Sequence, residues 1–409
     1  MSRPILFQIN IEVNSGSTGR IAEQIGLVAM KSGFDSYITF ARGYNQSQSK
    51  VIKIGNKFSI LFHLLKTRLL GEHLNGSRYA TLKLIQQLKT INPDIIQLHQ
   101  MHGYYLNVPL LFEFLREFNK PVIWTLHDCW AFTGHCSYFT LVGCNKWKTE
   151  CNKCPQSKKY PKSMFFDKSK SEFYQKDKLF NAIKNLTFVG VSDWVANLAK
   201  SSFLSKNKIT SIANCIDLDL FNPKENALHV ISKYGLDKNK KFLIASGTTW
   251  IKSKGLDDYI LLSEMLSSDY QLILVGISES ISKNISSKIK CIKRTESQLE
   301  LAELYSAADM LLCLSYQESF GLTPIEAMAC GTPSIVYSNT ALNEIVTDKT
   351  GIKVETGNLQ AVVEAINHIS GNGKEFYSKN CFERANEMYD MNKNYLNYIE
   401  LYNELLKSK

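Results

Sequence analysis

Along this chain, short apolar runs alternate with longer stretches in which apolar residues recur every three or four positions. The runs are "PILFQIN", "DSYITFAR", "DIIQLHQ", "PVIWTLHD" and "LTFVGVS" in the first half, then "FLIASG", "QLILVG", "MLLCLS" and "TPSIVYS". Runs of this length suit strands buried on both faces, and the amphipathic stretches between them suit crossover helices. The pattern predicts an α/β fold with two domains, each built on a parallel sheet. "SIANCIDLDLFNPKENA" has turn residues around Pro223 and little helical period, which makes it the expected linker and puts the boundary near residue 220. The expected domains are residues 1–220 and 221–390. The last stretch, 391–409, places Tyr395, Tyr398, Leu401, Tyr402 and Leu405 at helical spacing, a terminal helix predicted to pack back toward the first domain.

Length agrees with this division, since 409 residues exceed what one core usually supports. The opening "MSRPILFQINIE" carries polar Gln8 and Asn10 inside its apolar run, so it reads as a buried strand rather than a secretion signal. No apolar run approaches the roughly 20 residues of a membrane span, and a cytoplasmic location is expected. The net charge of +10 is uneven: residues 1–200 hold 26 Lys and Arg against 13 Asp and Glu. Such an excess favours anionic partners, unless it is compositional drift. Within residues 1–200, the stretch from Asn56 to Lys89 interleaves Lys57, Lys66, Arg68, Arg78, Lys83 and Lys89 with apolar residues. Two readings stand: a core-packed helix with a solvated basic face, or a segment lying peripherally on an anionic membrane.

Candidate chemistry gathers where apolar runs end, the edge at which open α/β sheets bind ligands. After the first run, Gly16 and Gly19 precede an amphipathic helix, which suits close approach of an anion and equally suits a plain turn. His127 and Asp128 follow "PVIWTL". Lys252 and Lys254 lie in the loop after "FLIASG", where they can neutralise phosphate. In "ESFGLTPIEAMACGTP", Glu318 and Glu326 flank a turn that enters a helix. Thr323-Pro-Ile-Glu326 fits a capping box, which would explain Glu326 structurally; Glu318 has no such explanation. A carboxylate accepts hydrogen bonds from sugar hydroxyls and a helix N-terminus holds phosphate, so the segment suits a nucleotide sugar.

Two glutamates separated by seven residues and running into "EAMACGTP" resemble the retaining glycosyltransferases of family four. The early glycine loop, "LHD", "VGVSDWVANLAK" and "ANCIDLDLFNP" follow the same order. The resemblance spans almost the whole chain and implies a GT-B fold, two facing Rossmann-like domains with a cleft between them. It implies that Glu318 contacts donor-sugar hydroxyls, Glu326 the ribose, Lys254 and the Phe320-Gly321-Leu322 amides the diphosphate, and His127 the transferring sugar. Gly16 and Gly19 would lie against the donor phosphate. Members commonly carry arginine six residues before the lysine; here Thr248 stands there, leaving Lys252 as the second cation or the diphosphate held differently. No convincing Asp-X-Asp metal motif is present, in keeping with a family whose same-face transfer needs no cofactor for its chemistry.

Five of the ten cysteines fall in an insertion at about 129–160. Cys136, Cys144, Cys151 and Cys154 suit a structural zinc, with free buried thiols as the alternative. Within the family this insertion resembles the branch associated with colanic acid, which implies a UDP- or GDP-sugar donor and a lipid-linked saccharide acceptor in surface-polysaccharide or O-antigen assembly. A GT-B epimerase or hydrolase is the nearest rival. An NAD-dependent oxidoreductase lacks its G-x-G-x-x-G, and no nucleic-acid recognition module is present.

Overall fold

The structure, a computed structural model, describes residues 3–225 and 227–407. Asn226 of the expected linker, the first two residues of the opening stretch and the last two of the terminal helix lie outside the described residues.

Each apolar run becomes a strand, and the central ones are buried from end to end, as crossover helices on both faces require. In the first unit the strands are β1 (Ile5–Ile9), β2 (Asp35–Phe40), β3 (Lys50–Lys53), β4 (Ile95–Leu98), β5 (Val122–Leu126), β6 (Leu186–Gly190) and β7 (Lys208–Ser211). They pair in parallel in the order β3-β2-β1-β4-β5-β6-β7. The second unit repeats the plan with β8 (Lys241–Ser246), β9 (Tyr270–Val275), β10 (Ile289–Ile292), β11 (Met310–Cys313), β12 (Ser334–Tyr337) and β13 (Gly351–Val354), ordered β10-β9-β8-β11-β12-β13. In each sheet the order reverses once, between β1 and β4 and between β8 and β11. Strand ends diverge there and leave a crevice.

The first unit runs to Ala213 and takes in the chain again from Tyr395; the second is Asn214–Asn394. The division thus precedes the expected residue 220. The reason is a backbone tie: Ile216 donates to the Tyr389 carbonyl and accepts from Met391 N–H, at 2.9 and 3.1 Å, which fastens the segment after Ala213 to the second unit. The terminal helix, Leu396–Lys407, lies on the first sheet. Its Tyr402 hydroxyl donates to Gln97 Oε1, and Tyr398 and Thr125 share a hydrogen bond at 3.2 Å. Among the described residues no helix is long and apolar enough to cross a membrane.

Candidate functional site

In the second unit the chain leaving β8 turns through Gly247, the exposed Thr248 and the buried Trp250, then through a short turn at Lys252–Lys254. Gly255 has φ +74°, and a Cβ there would lie 2.1 Å from the Leu314 carbonyl, so only glycine lets this loop close on the end of β11. Tyr316 N–H donates to the Ser253 carbonyl at 2.9 Å and completes the closure. The result is an ion pair across the order reversal, with Lys254 Nζ 2.6 Å from Glu318 Oε1. Burial would lower the lysine's pKa, but the Glu318 charge and hydrogen bond outweigh it and hold Lys254 above its ordinary value. Lys252 is exposed.

Three residues beyond Glu318 the helix Leu322–Ala329 begins at Gly321, whose φ is +119°. A Cβ on Gly321 would meet Leu342 at 2.7 Å, so this helix start also demands glycine. Phe320 is buried against Tyr389. The capping box expected of Thr323 and Glu326 does not form. Because the helix begins at Leu322, Thr323 already lies inside it and no side chain caps it. Glu326 is instead buried, where Oε2 accepts from the Tyr305 hydroxyl at 3.1 Å; Tyr305 in turn contacts Ser246 Oγ at 2.5 Å. A cation, an acid that orients it and the amides of a helix N-terminus therefore converge at the carboxyl ends of β8 and β11. That set can hold a phosphate beside a polyhydroxylated group.

In the first unit Gly16 and Gly19, expected to precede the helix after β1, lie in its first turn instead, because the helix Gly16–Lys31 already begins at Gly16. Gly16, at φ +62°, leaves room for the Glu12 carboxylate, and a Cβ on Gly19 would crowd the Glu12 backbone at 3.2 Å. Burial holds Glu12 above the usual carboxylate range against the pull of Arg42. His127 directly follows β5, and next to it lies His99, which directly follows β4. Gln8 Nε2 donates to the Ala22 carbonyl at 2.9 Å, so its Oε1 is the atom that accepts from His99 Nε2, also at 2.9 Å. His99 Nδ1 must then accept from His127 Nε2–H, 3.0 Å away, which leaves Nδ1 as the acceptor nitrogen of His127. Burial pushes His127 down to about 4, more than Asp128 can offset, and pushes His99 well down too. Both rings are neutral near pH 7.

Asp128 accepts from Trp130 N–H at 2.9 Å and pairs with His102 Nε2 at 2.6 Å, while His102 Nδ1 lies 2.8 Å from the Tyr160 hydroxyl. Burial would raise Asp128; His102 outweighs it and holds the carboxyl below its ordinary range. His99, His102, His127, Asp128 and Trp130 line a small concavity. His99 and His102 of this lining, and Tyr160 that contacts His102, escaped the sequence reading. The signal available was "LHQMH" at the end of β4, matching "LHD" at the end of β5.

Cys136, Cys144, Cys151 and Cys154 line one small cavity with His135. Its walls are aromatic, with Phe139 stacked on Trp147 at 4.7 Å. Gly134 N–H donates to Cys151 Sγ at 3.2 Å. Cys154 is held below its ordinary value chiefly by a hydrogen bond from the Cys136 thiol, whereas burial pushes Cys151 up to about 11. All ten cysteines are unbridged. The sulfurs suit zinc chemically, and His135 Nε2 is buried without a partner. Yet among the described residues no three His, Cys, Asp or Glu side chains are gathered closely enough to hold an ion.

A match to the family model described as glycosyl transferases group 1 covers residues 229–388, which include Lys254, Glu318 and Glu326. This stretch is a group 1 glycosyltransferase domain. The chain is also 24% identical over 373 residues to a putative colanic acid biosynthesis glycosyl transferase, WcaC, of Escherichia coli K12, covering 88% of this chain and 89% of that one. Among solved structures, sucrose-phosphate synthase from Thermosynechococcus elongatus superposes with TM-score 0.72 over 100% of both chains at 18% identity. Anabaena Alr3699/HepE in complex with UDP-glucose does so with TM-score 0.67, at 14% identity, over 99% of this chain and 100% of that one. The likeness shows the same fold, two Rossmann-like domains.

Proposed function

We propose that this chain is a retaining glycosyltransferase. It would move a hexose-type sugar from a UDP- or GDP-sugar to a lipid-linked saccharide in bacterial surface-polysaccharide or O-antigen assembly. The carrying observation is the Lys254–Glu318 pair, set at the order reversal of the glycosyltransferase domain beside the Gly321 helix start. WcaC's name supports the pathway, and the UDP-glucose bound by HepE supports the donor class.

In this reading Lys254 and the first amides of the helix Leu322–Ala329 stabilise charge on the leaving diphosphate. Because that stabilisation grows as the sugar departs, it lowers the barrier rather than merely tightening binding. Glu318 orients Lys254 and accepts sugar hydroxyls, and Glu326 accepts from the ribose. Thr248 and Lys252 flank the diphosphate in place of the family's arginine, and Gly16 and Gly19 let the backbone near the donor phosphate. His127, neutral and already donating through Nε2, accepts a hydroxyl of the transferring sugar at Nδ1. A donor phosphate oxygen takes the acceptor's proton as the new bond forms on the face the diphosphate leaves, so the protein supplies position and charge and no cofactor. The cysteine cavity is proposed as a structural zinc site, on the chemistry of its four sulfurs.

Thermal unfolding of the purified chain with UDP, GDP, ADP and their sugars tests the donor. The true nucleotide raises Tm as its concentration passes Kd. No shift with any nucleotide would overturn the reading. Product analysis then separates transfer to an acceptor from isomerised or merely hydrolysed donor, and the anomeric configuration of the product decides retention.

A further inference from the structure

Helix α2 is Lys57–Leu70, following α1 (Gly16–Lys31) in the first unit, and it is docked with the wrong face inward for an ordinary amphipathic helix. Phe58, Leu61, Phe62, Leu65 and Leu69 fall on one face at helical spacing, and all are exposed, Phe58 at 81% and Phe62 at 70%. The only buried residues of α2 are His63 and Thr67. His63 Nε2–H donates to the His73 carbonyl at 2.9 Å and Nδ1 contacts Ser77 Oγ at 3.0 Å, while Thr67 Oγ1 donates to the Glu72 carbonyl at 3.3 Å. Hydrogen bonds to the Glu72–Ser77 turn thus fix the helix by its polar side. The apolar stripe is left to the solvent.

A second exposed apolar element lies against the same helix. Met164 N–H donates to the Arg68 carbonyl at 2.8 Å, which brings Met164, Phe165 and Phe166 to the end of α2, with Phe165 exposed at 69%. The exposed cations around both elements are Lys57, Arg68, Lys159, Lys162 and Lys168. The neighbouring acids are already engaged, Glu72 with Lys66 at 2.7 Å and Asp167 with Cys154 N–H at 2.6 Å. Contiguous exposed apolar surface of this kind marks an interaction site. An apolar stripe rimmed by unpaired cations is complementary to anionic headgroups over acyl chains.

We propose that α2 and the Met164–Phe166 tip together dock the first unit on an anionic phospholipid surface, the apolar stripe entering the interface and the lysines and arginine meeting the headgroups. The surface adjoins the candidate site: His63 packs on Tyr104 at 5.8 Å, Tyr104 on Tyr160 at 5.9 Å, and Tyr160 reaches His102. An acceptor carried on a membrane lipid would therefore arrive beside the His102–Asp128 concavity. That last step rests on the proposed function, whereas the docking does not.

The test is sedimentation of the full chain with phosphatidylcholine vesicles, with and without phosphatidylglycerol, at rising salt. Binding is expected only with phosphatidylglycerol, and it should weaken with salt as exposed charges are screened. Phe58→Glu with Phe62→Glu, and separately Lys57→Glu with Arg68→Glu, should each weaken partitioning by about tenfold or more. These side chains are exposed, so both variants should keep the native Tm and the native nucleotide-induced Tm shift. Unchanged partitioning in both variants overturns the docking proposal and leaves the glycosyltransferase reading standing. A concentration-dependent dimer that the Phe58/Phe62 variant dissolves in the absence of vesicles also overturns it, because a second copy then covers the face. Vesicle binding without any nucleotide-induced shift in the native chain sinks the enzymatic reading alone.

Discussion

Glu318 and Lys254 sit 2.6 Å apart, partly exposed, and an ion pair in that setting contributes at most about 1 kcal/mol to stability. Removing either charge should therefore barely move Tm. Its effect should fall on turnover instead: Lys254→Ala or Glu318→Ala is expected to cost on the order of a hundredfold in kcat, the usual loss when a contact to developing charge is deleted. Native turnover in either folded variant would disprove the assignment. Glu326 behaves differently because its carboxylate is buried on the Tyr305 hydroxyl. Glu326→Gln keeps an oxygen for that hydroxyl and should be mild, whereas Glu326→Ala leaves the hydroxyl only Ser246 Oγ and should cost about 1 kcal/mol of stability. Glu318 was legible in the sequence because nothing local accounts for it. The partner of Glu326 was not, since Tyr305 lies twenty-one residues upstream and meets it only through the fold. The capping-box reading failed at Gly321: its positive φ starts the helix two residues before Pro324, which a residue pattern cannot reveal.

The strands that the hydrophobic pattern missed are β3, β7, β10 and β13, the four edges of the two sheets. An edge strand has a neighbour on one side only and is short and half-polar, as in Lys50–Lys53 with its exposed lysines. Its apolar signal is correspondingly weak. For α2 the periodicity was plain, but its direction was undecidable, because core and interface ask for the same stripe; the buried His63 and Thr67 settle which side faces the protein. The cysteine insertion is a third case. Spacing brought four sulfurs to one cavity without drawing three donors together. If zinc binds, metal analysis of protein purified without added metal should give about one equivalent per chain, as a closed four-ligand site requires. Cys151→Ser with Cys154→Ser should abolish it, and a chelator should make the remaining thiols reactive. Metal-free protein whose thiol reactivity ignores chelator would leave the cavity a cluster of buried thiols.

Glu326 lies inside a helix and the four cysteines in the insertion, but both units share one core strand order, and that order places His127, Asp128, Lys254 and Glu318 in the segments that follow strand carboxyl ends. The alternation of apolar and amphipathic stretches was enough to foresee this. What it could not show is how much of the first unit is built on buried, uncharged imidazole. Burial lowers His63, His73, His99, His127 and His135 from the ordinary value, His127 and His135 to about 4. In the unfolded chain these rings take up protons near pH 6.5, so between pH 6.5 and 4 the unfolded state binds more protons and stability falls as pH falls. For His135 alone the full descent is on the order of 3 kcal/mol. Two acids oppose the trend: Glu172, raised to about 7 by burial, favours the folded state as pH drops from 7 toward 4.5, and Glu12, also raised by burial, acts in the same direction. Five histidines outweigh two carboxyls, and the net expectation is a Tm that declines steadily from pH 7 to pH 4.5 at constant ionic strength. His73 offers the sharpest control. It is buried with both ring nitrogens unpartnered, among the rings of His63, Tyr104 and Trp130. His73→Leu removes a group that can charge without deleting a hydrogen bond made by its side chain, so it should flatten the decline while leaving nucleotide-induced shifts intact. A Tm that stays level between pH 7 and 4.5 in the native chain, or a slope unaltered in the variant, would show that these imidazoles are not held neutral by burial.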